Sequence, residues 1–118
     1  MSEIGSFITN AISPDIFEEI KEIFENAPDI FEVKTIPIGG RKNYGFICGK
    51  ISCMDTESIH LRDKTFKYIN QVLSRGPNDR IIISVHNEDG STVVYRLEYN
   101  YLHTVVIYDD ETIDVHRF

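Results

Sequence analysis

The sequence contains no tryptophan, only two cysteines and no long apolar run. Two cysteines exclude a disulfide-rich secreted scaffold, which uses several cross-links in place of a large core. The apolar runs are a few residues long, as at 81–83, whereas a membrane-spanning helix needs roughly 20 apolar residues. Residues 1–10 lack the basic region and the apolar core of a secretory signal. We therefore expect a cytoplasmic protein without a membrane segment.

The two cysteines, Cys48 and Cys53, fall in one predicted strand. Five residues of extended chain separate them by about 17 Å and place them on opposite faces. The Cα atoms of a disulfide lie within about 7 Å of each other, so these two cannot pair. The sequence predicts two buried free thiols in a reducing compartment.

Motifs for catalysis, cofactors and metals are also missing. The glycine-rich stretch at 39–45 lacks the frame of a phosphate-binding loop, and no GxSxG or HExxH occurs. We therefore predict no cofactor and no metal site. One catalytic alternative stays open, a small enzyme that uses His86, His103 or His116 with a nearby carboxylate.

Charge is present but unevenly spread over a chain whose net charge is −7. Residues 1–33 hold eight acids and one base, residues 34–80 hold four acids and nine bases, and residues 81–118 hold seven acids and two bases. Binding to nucleic acid depends on neutralising phosphates, so the negative net charge of the chain argues against a general nucleic-acid binder. The basic middle keeps a local anionic partner open.

The N-terminal third predicts helices. Residues 3–11 carry apolar side chains at helical spacing and predict a short helix. Ser13 is a good N-cap, Pro14 suits the first helical position, and Pro28 stops the second helix. The glutamates of this second helix lie off its apolar stripe: Glu18, Glu19, Glu22 and Glu25.

A hairpin is predicted from residues 31–38 and 44–53 around the loop 39–43. Its register sets Ile36 opposite Phe46 and Glu32 opposite Lys50, a favourable pair of charges. Pro37 marks an edge strand, because proline cannot donate to a ladder. We expect one face to pack in the core, with glycines that let a helix backbone approach: Phe31, Val33, Ile47 and Ile51, with Gly45 and Gly49.

Two interpretations fit residues 55–62, a short strand at 58–62 or a helix that starts at Asp55. In the first interpretation Asp63 caps a helix through Ser74, which a glycine and a proline end at residues 76 and 77.

The last third predicts an antiparallel meander. A three-residue loop at 88–90 pairs Val85 with Val93 and Ile83 with Tyr95, which makes one face wholly apolar. Residues 102–108 and 112–118 form another pair around an acidic turn, with the register left open. The strand after 92 is either separate from that pair or continuous with it as one long bent strand.

These elements predict one α+β domain over residues 1–118: an N-terminal helix or helix pair, a β-hairpin or three-stranded meander, one helix, and a C-terminal antiparallel β-meander. The small acidic chain suits a protein-binding module, by analogy of size and charge with inhibitors and immunity proteins that mask a basic partner. The predicted binding residues are Glu18, Glu19, Glu22, Glu25, Arg41, Lys42, Tyr44, Phe46, Asp109, Asp110 and Glu111. The alternative is an anionic ligand or nucleic acid bound through the hairpin tip at Arg41 and Lys42, with Lys64 and Lys67.

Overall fold

The computed structural model describes residues 3–73, 80–98, 101–107 and 113–117. Two helices and an antiparallel sheet make up the described fold, which confirms the α+β class. The elements in chain order are β1 Glu3–Thr9, α1 Pro14–Glu25, β2 Phe31–Ile38, β3 Arg41–Cys53, α2 Thr56–Leu73, β4 Arg80–Asn87, β5 Thr92–Glu98, β6 Tyr101–Ile107 and β7 Ile113–Arg117.

The described strands form one seven-stranded sheet in the order β2-β3-β1-β4-β5-β6-β7. Because β1 and β2 are both antiparallel to β3, they are parallel to each other with β3 between them. In the same way β3 and β4 flank β1. The chain therefore interleaves two split βαβ units, whose crossover helices α1 and α2 contact each other and cover one sheet face.

Residues 3–9 form β1, an interior strand of the sheet, so the predicted helix at 3–11 is wrong. Burial alternates along this strand, with Phe7 and Thr9 buried and Ser6 and Ile8 exposed. Strands β3 and β4 pair with it on both sides. The end of β1 is fixed by Asn10, whose backbone N–H and side-chain oxygen both bond Ile82 at 3.0 Å. Pairing with distant strands outweighs the local spacing of the apolar residues.

Helix α1 follows the prediction. The Ser13 side chain accepts a hydrogen bond from the backbone N–H of Asp15 at 3.4 Å, and proline occupies the first turn. The helix ends at Glu25, before the proline at position 28. Its apolar stripe is buried at Phe17 and Ile20.

The β2–β3 hairpin confirms the predicted pairs of Ile36 with Phe46 and of Glu32 with Lys50. Strand β2 is an edge strand, as its proline indicated. The turn is tighter than predicted: β3 begins at Arg41, which lies opposite Ile38 after a register shift. The two loop residues, both glycines, have φ values of 62° and 71°, a conformation that glycine adopts at low cost.

Gly45 and Gly49 have a different role from the predicted one. Both have a φ of 151°, outside the range of ordinary side-chain-bearing residues. A Cβ atom would collide with the carbonyl oxygen of Ile36 at the first position and of Glu32 at the second. Both carbonyls belong to β2, so these glycines admit the neighbouring strand and not a helix backbone.

Helix α2 spans Thr56–Leu73, so the helical interpretation is right and the strand and the Asp63 cap are wrong. The Asp55 carboxylate accepts a 2.7 Å bond from the Ser58 N–H, and the Ser58 hydroxyl accepts a 3.1 Å bond from the Asp55 N–H. This reciprocal pair satisfies two donors at the helix start, as a capping box does. The predicted helix end at 74–77 lies outside the described residues.

The meander confirms the register of its first hairpin, with Val85 opposite Val93 and Ile83 opposite Tyr95. Gly90 has a φ of 90° in the three-residue loop. Strands β5 and β6 pair with each other, so one long bent strand is wrong. Strands β6 and β7 pair as predicted, with Ile107 opposite Ile113.

A chain of aromatic rings links the helices to the sheet. Phe24 of α1 lies between Phe7 and Phe31, with ring centroids 5.4 and 5.1 Å away. The Phe66 ring of α2 lies 6.0 Å from the Phe31 ring and 4.6 Å from that of Tyr95. All five rings are at most 2% exposed, so α1 and α2 are held rigidly on the sheet.

Candidate interaction surface

The outer face of α1 carries the predicted acidic surface. Three side chains on the opposite face of the helix (Phe17, Ile20 and Phe24) are buried against the sheet. The structure exposes all four predicted glutamates, which we call the acidic face: Glu18, Glu19, Glu22 and Glu25.

The charges of the acidic face are unfavourable for the helix itself. Glu22 lies one turn from both Glu18 and Glu25, and like charges at these spacings destabilise a helix. No base lies in the last turn, so two glutamates occupy the negative end of the helix dipole. Lys21 reaches Glu25 only at 3.9 Å, in an exposed pair that contributes little. The acidic face therefore lowers the stability of α1.

Beside the acidic face lies a groove between the two helices, with a volume of about 620 Å³. We call it the interhelical groove. Its most exposed apolar side chains are Leu61 and Tyr68 of α2, at 41% and 49% exposure. Its lining residues are Ile23, Asn26 and Ala27 of α1 and Leu61, Lys64, Thr65, Tyr68, Gln71 and Val72 of α2.

Sequence reasoning missed this groove. Leu61 and Tyr68 lie seven residues apart on one side of α2, off the buried stripe of Phe66 and Ile69. Apolar residues two turns apart and off the core stripe are a signal for a second apolar strip on a helix. This pattern can be recognised only if residues 58–62 are assigned to the helix and not to a strand.

The exposed charge of α2 is mainly basic. Lys64 and Lys67 are exposed, and the Lys64 ammonium lies 5.9 Å from the centre of the Tyr68 ring. Arg62 belongs to the interior instead. It is 7% exposed, bonds Asp63 at 2.9 Å and lies 5.5 Å over the Tyr95 ring.

The hairpin tip presents Arg41 and Lys42 to solvent. Tyr44 and Phe46, the aromatic residues predicted to accompany them, are half-buried. The tip belongs to the β2–β3 hairpin, whereas Lys64 lines the interhelical groove. The cations of the predicted anion site are thus divided between two surfaces. The second predicted acidic cluster, at 109–111, lies outside the described residues.

The sheet face opposite the helices carries a second depression, of about 440 Å³. Cys48 lies at its floor and is 8% exposed, and Cys53 is fully buried. Neither cysteine forms a disulfide, as predicted. The rim mixes charges and apolar atoms, including Lys34, Lys50 and the exposed Ile8.

The predicted histidine–carboxylate pair stays a prediction. His86 is exposed, and its Nδ1 atom lies 3.3 Å from the Thr92 hydroxyl. Glu32 lines the same depression, but it lies three strands away, a backbone separation of about 14 Å. The side chains of His103 and His116 lie outside the described part. Among the described residues, no group of three or more His, Cys, Asp and Glu side chains is placed to hold a metal ion.

Two carboxyl groups with lowered pKa values are structural. The Ser58 backbone N–H and then its hydroxyl lower the pKa of Asp55 at the start of α2. The Ser91 hydroxyl, followed by its backbone N–H, lowers the pKa of Asp89 in the β4–β5 turn. Hydrogen bonds to the charged form cause both shifts. Each carboxylate stabilises its own turn, and neither lines the interhelical groove.

Comparison of the chain with protein-family models, with curated proteins and with solved structures found no match. Over the described ranges, neither helix has the length and apolar character required to cross a membrane.

Proposed function

We propose that the protein is a non-enzymatic protein-binding module that recognises a partner with a basic surface. The observation that carries the proposal is the acidic face of α1. Its four glutamates are exposed on one rigid helix, and the charges of Glu22 and Glu25 in its last turn cost stability. Charges that a fold retains against its own stability are expected where they serve binding.

Such a surface accelerates association with a basic partner through long-range attraction. The attraction falls with salt, because the screening length is about 10 Å at 0.1 M ionic strength. The aromatic core fixes α1 on the sheet, so the helix loses little conformational entropy when a partner binds. A small acidic module of this kind is suited to masking the basic surface of another protein, as an inhibitor or immunity protein does. The two buried thiols form no disulfide, which favours a reducing compartment such as the cytoplasm.

The test is affinity capture from a lysate of the native host at about 50 mM salt, where charge contacts are least screened. The baits are the wild type, the acidic-face variant Glu18→Gln/Glu22→Gln, and a control that loses the same charge elsewhere, Glu57→Gln/Glu88→Gln. Both control positions are exposed. We expect a basic protein to be retained by the wild type and the control, released at high salt, and absent from the acidic-face variant. Equal retention by all three baits, or no basic protein, contradicts the proposal.

A second candidate function is binding of an anionic ligand or nucleic acid at the hairpin tip. It is favoured by the exposure of Arg41 and Lys42 next to the half-buried rings of Tyr44 and Phe46, since arginine and aromatic side chains are enriched at interfaces. Titration of an RNA and nucleotide set at about 50 mM salt tests it, because such contacts are strongest at low salt. Binding that is lost in Arg41→Glu/Lys42→Glu supports this function, and absence of binding by the wild type removes it.

A further inference from the structure

We propose that a second copy of this chain docks on the interhelical groove, with the acidic α1 of each copy over the basic α2 of the other. The two copies face each other across a two-fold axis that runs along the groove. The inference rests on the proposed function, because it takes the acidic face of α1 as a recognition surface and assigns one partner to it.

Charge complementarity selects the second copy. Glu19 and Glu22 are exposed on α1, and Lys64 and Lys67 are exposed on α2, where Lys64 lines the groove. A two-fold axis along the groove places each acidic side against the basic side of the other copy. An axis across the groove would instead set acid against acid and base against base, which is repulsive. Two-fold dimers are also the commonest assembly of identical chains.

Residues of both helices line the groove and relate its two sides to the charged positions. Ile23 and Asn26 of α1 line the same groove as Leu61, Lys64 and Tyr68 of α2. Rotation about the groove axis leaves each residue at its level and exchanges the two sides. Glu22 is next to Ile23 in sequence, so the rotation brings this acidic position of one copy to the side of the groove that carries Lys64 in the other.

Apolar burial supplies the driving force for this association. Leu61 and Tyr68 are 41% and 49% exposed at the edge of the groove, whose floor includes Ile23, Ala27 and Val72. In the face-to-face arrangement these two side chains cover the groove of the other copy. Removing apolar surface from water drives association, and the charge pairs fix the orientation. Tyrosine is among the residues enriched at such interfaces.

Sedimentation analysis of the full chain, at concentrations up to about 1 mM, tests the inference with a charge exchange. One variant makes α1 basic, Glu19→Lys/Glu22→Lys, and the other makes α2 acidic, Lys64→Glu/Lys67→Glu. A control with the same charge change on the opposite sheet face is Lys34→Glu/Lys50→Glu, at two exposed positions. Circular dichroism verifies that each variant is folded.

We expect the wild type and the control to dimerise and each charge variant alone to associate at least tenfold more weakly. An equimolar mixture of the two charge variants should dimerise again, because its contacts pair Lys with Glu on both sides. A wild type that stays monomeric, charge variants that dimerise like the wild type, or a mixture that does not recover each overturns the inference.

The same variants separate this inference from the proposed function. Lys64→Glu/Lys67→Glu retains the acidic face of α1, so it should still capture a basic partner from the host lysate. If the wild type stays monomeric but still captures a basic host protein, docking of a second copy is refuted and the proposed function is not. If the wild type and the equimolar mixture dimerise as expected but no basic host protein is captured, the proposed function is refuted and docking of a second copy is supported.

Discussion

Replacing Glu22 with lysine should stabilise the protein while weakening partner binding. Glu22 is exposed in the last turn of α1, where the helix dipole is negative and no base is present. The substitution exchanges an unfavourable charge for a favourable one at this end. It also turns two repulsive contacts, with Glu18 and Glu25, into attractive ones.

The expected gain can be estimated from these two effects. A favourable charge at a helix end contributes about 0.3–1 kcal/mol at an exposed site. Each attractive pair one turn apart contributes about 0.2–0.5 kcal/mol, and the order of Glu18 before a lysine at 22 is the better one. We therefore expect Glu22→Lys to raise the free energy of unfolding by about 1 kcal/mol, which corresponds to roughly 4 °C in Tm for a domain of this size.

Urea unfolding at low salt and low protein concentration measures this change. Urea is uncharged, whereas guanidinium chloride would screen the charges under test. Low concentration keeps self-association from contributing to the apparent stability. The gain should shrink in about 1 M salt, where the screening length is about 3 Å.

The matched control is Glu57→Lys, which makes the same charge change in the first turn of α2, where an acid is favourable. This control should lose stability, by about 0.3–1 kcal/mol. Equal effects of the two substitutions, or a loss of stability in Glu22→Lys, would show that the acidic face does not destabilise the protein.

Three further predictions test the account of the fold. The pKa of Asp55 is lowered in the folded state by Ser58, so its contribution to stability is present above the unfolded pKa and is lost as pH falls below about 4. Urea unfolding from pH 7 to pH 2 should show a smaller acid loss in Asp55→Asn than in the wild type. Gly49→Ala should cost more than about 1 kcal/mol, because its backbone conformation suits glycine alone, whereas Gly39→Asn in the open turn should be nearly neutral by the same measurement. Phe24→Ala, at the centre of the buried ring cluster, should cost about 3–5 kcal/mol in urea unfolding.

Local chemistry made much of the fold predictable. Ser13 and the proline after it start α1 through contacts within a few residues, so the sequence pattern suffices. The register of the β4–β5 hairpin is also local, since a left-handed Gly90 and an all-apolar face together allow only one pairing. The absence of a disulfide between Cys48 and Cys53 was predictable from their spacing along one strand.

The errors arise where distant residues decide the structure. Residues 3–9 become a strand because β3 and β4 hold them on both sides, and local spacing carries no sign of either partner. Gly49 is required by the close approach of a β2 carbonyl, which depends on how β2 and β3 pair. The same distinction between local and distant contacts applies to the candidate site. The acidic face could be predicted from helix periodicity, whereas the interhelical groove exists only because α1 and α2 pack side by side.

We propose that the acidic face of α1 lowers stability and serves recognition, and one graded series of variants measures both effects. Glu18, Glu22 and Glu25 are changed to glutamine one, two and three at a time. For each variant, the basic host protein retained at about 50 mM salt is quantified against the free energy of unfolding in urea. We expect the retained amount of the basic protein to fall, and the free energy of unfolding to rise, with each glutamate removed. Retention that is unchanged across the series, or that falls only in step with lost stability, would contradict it.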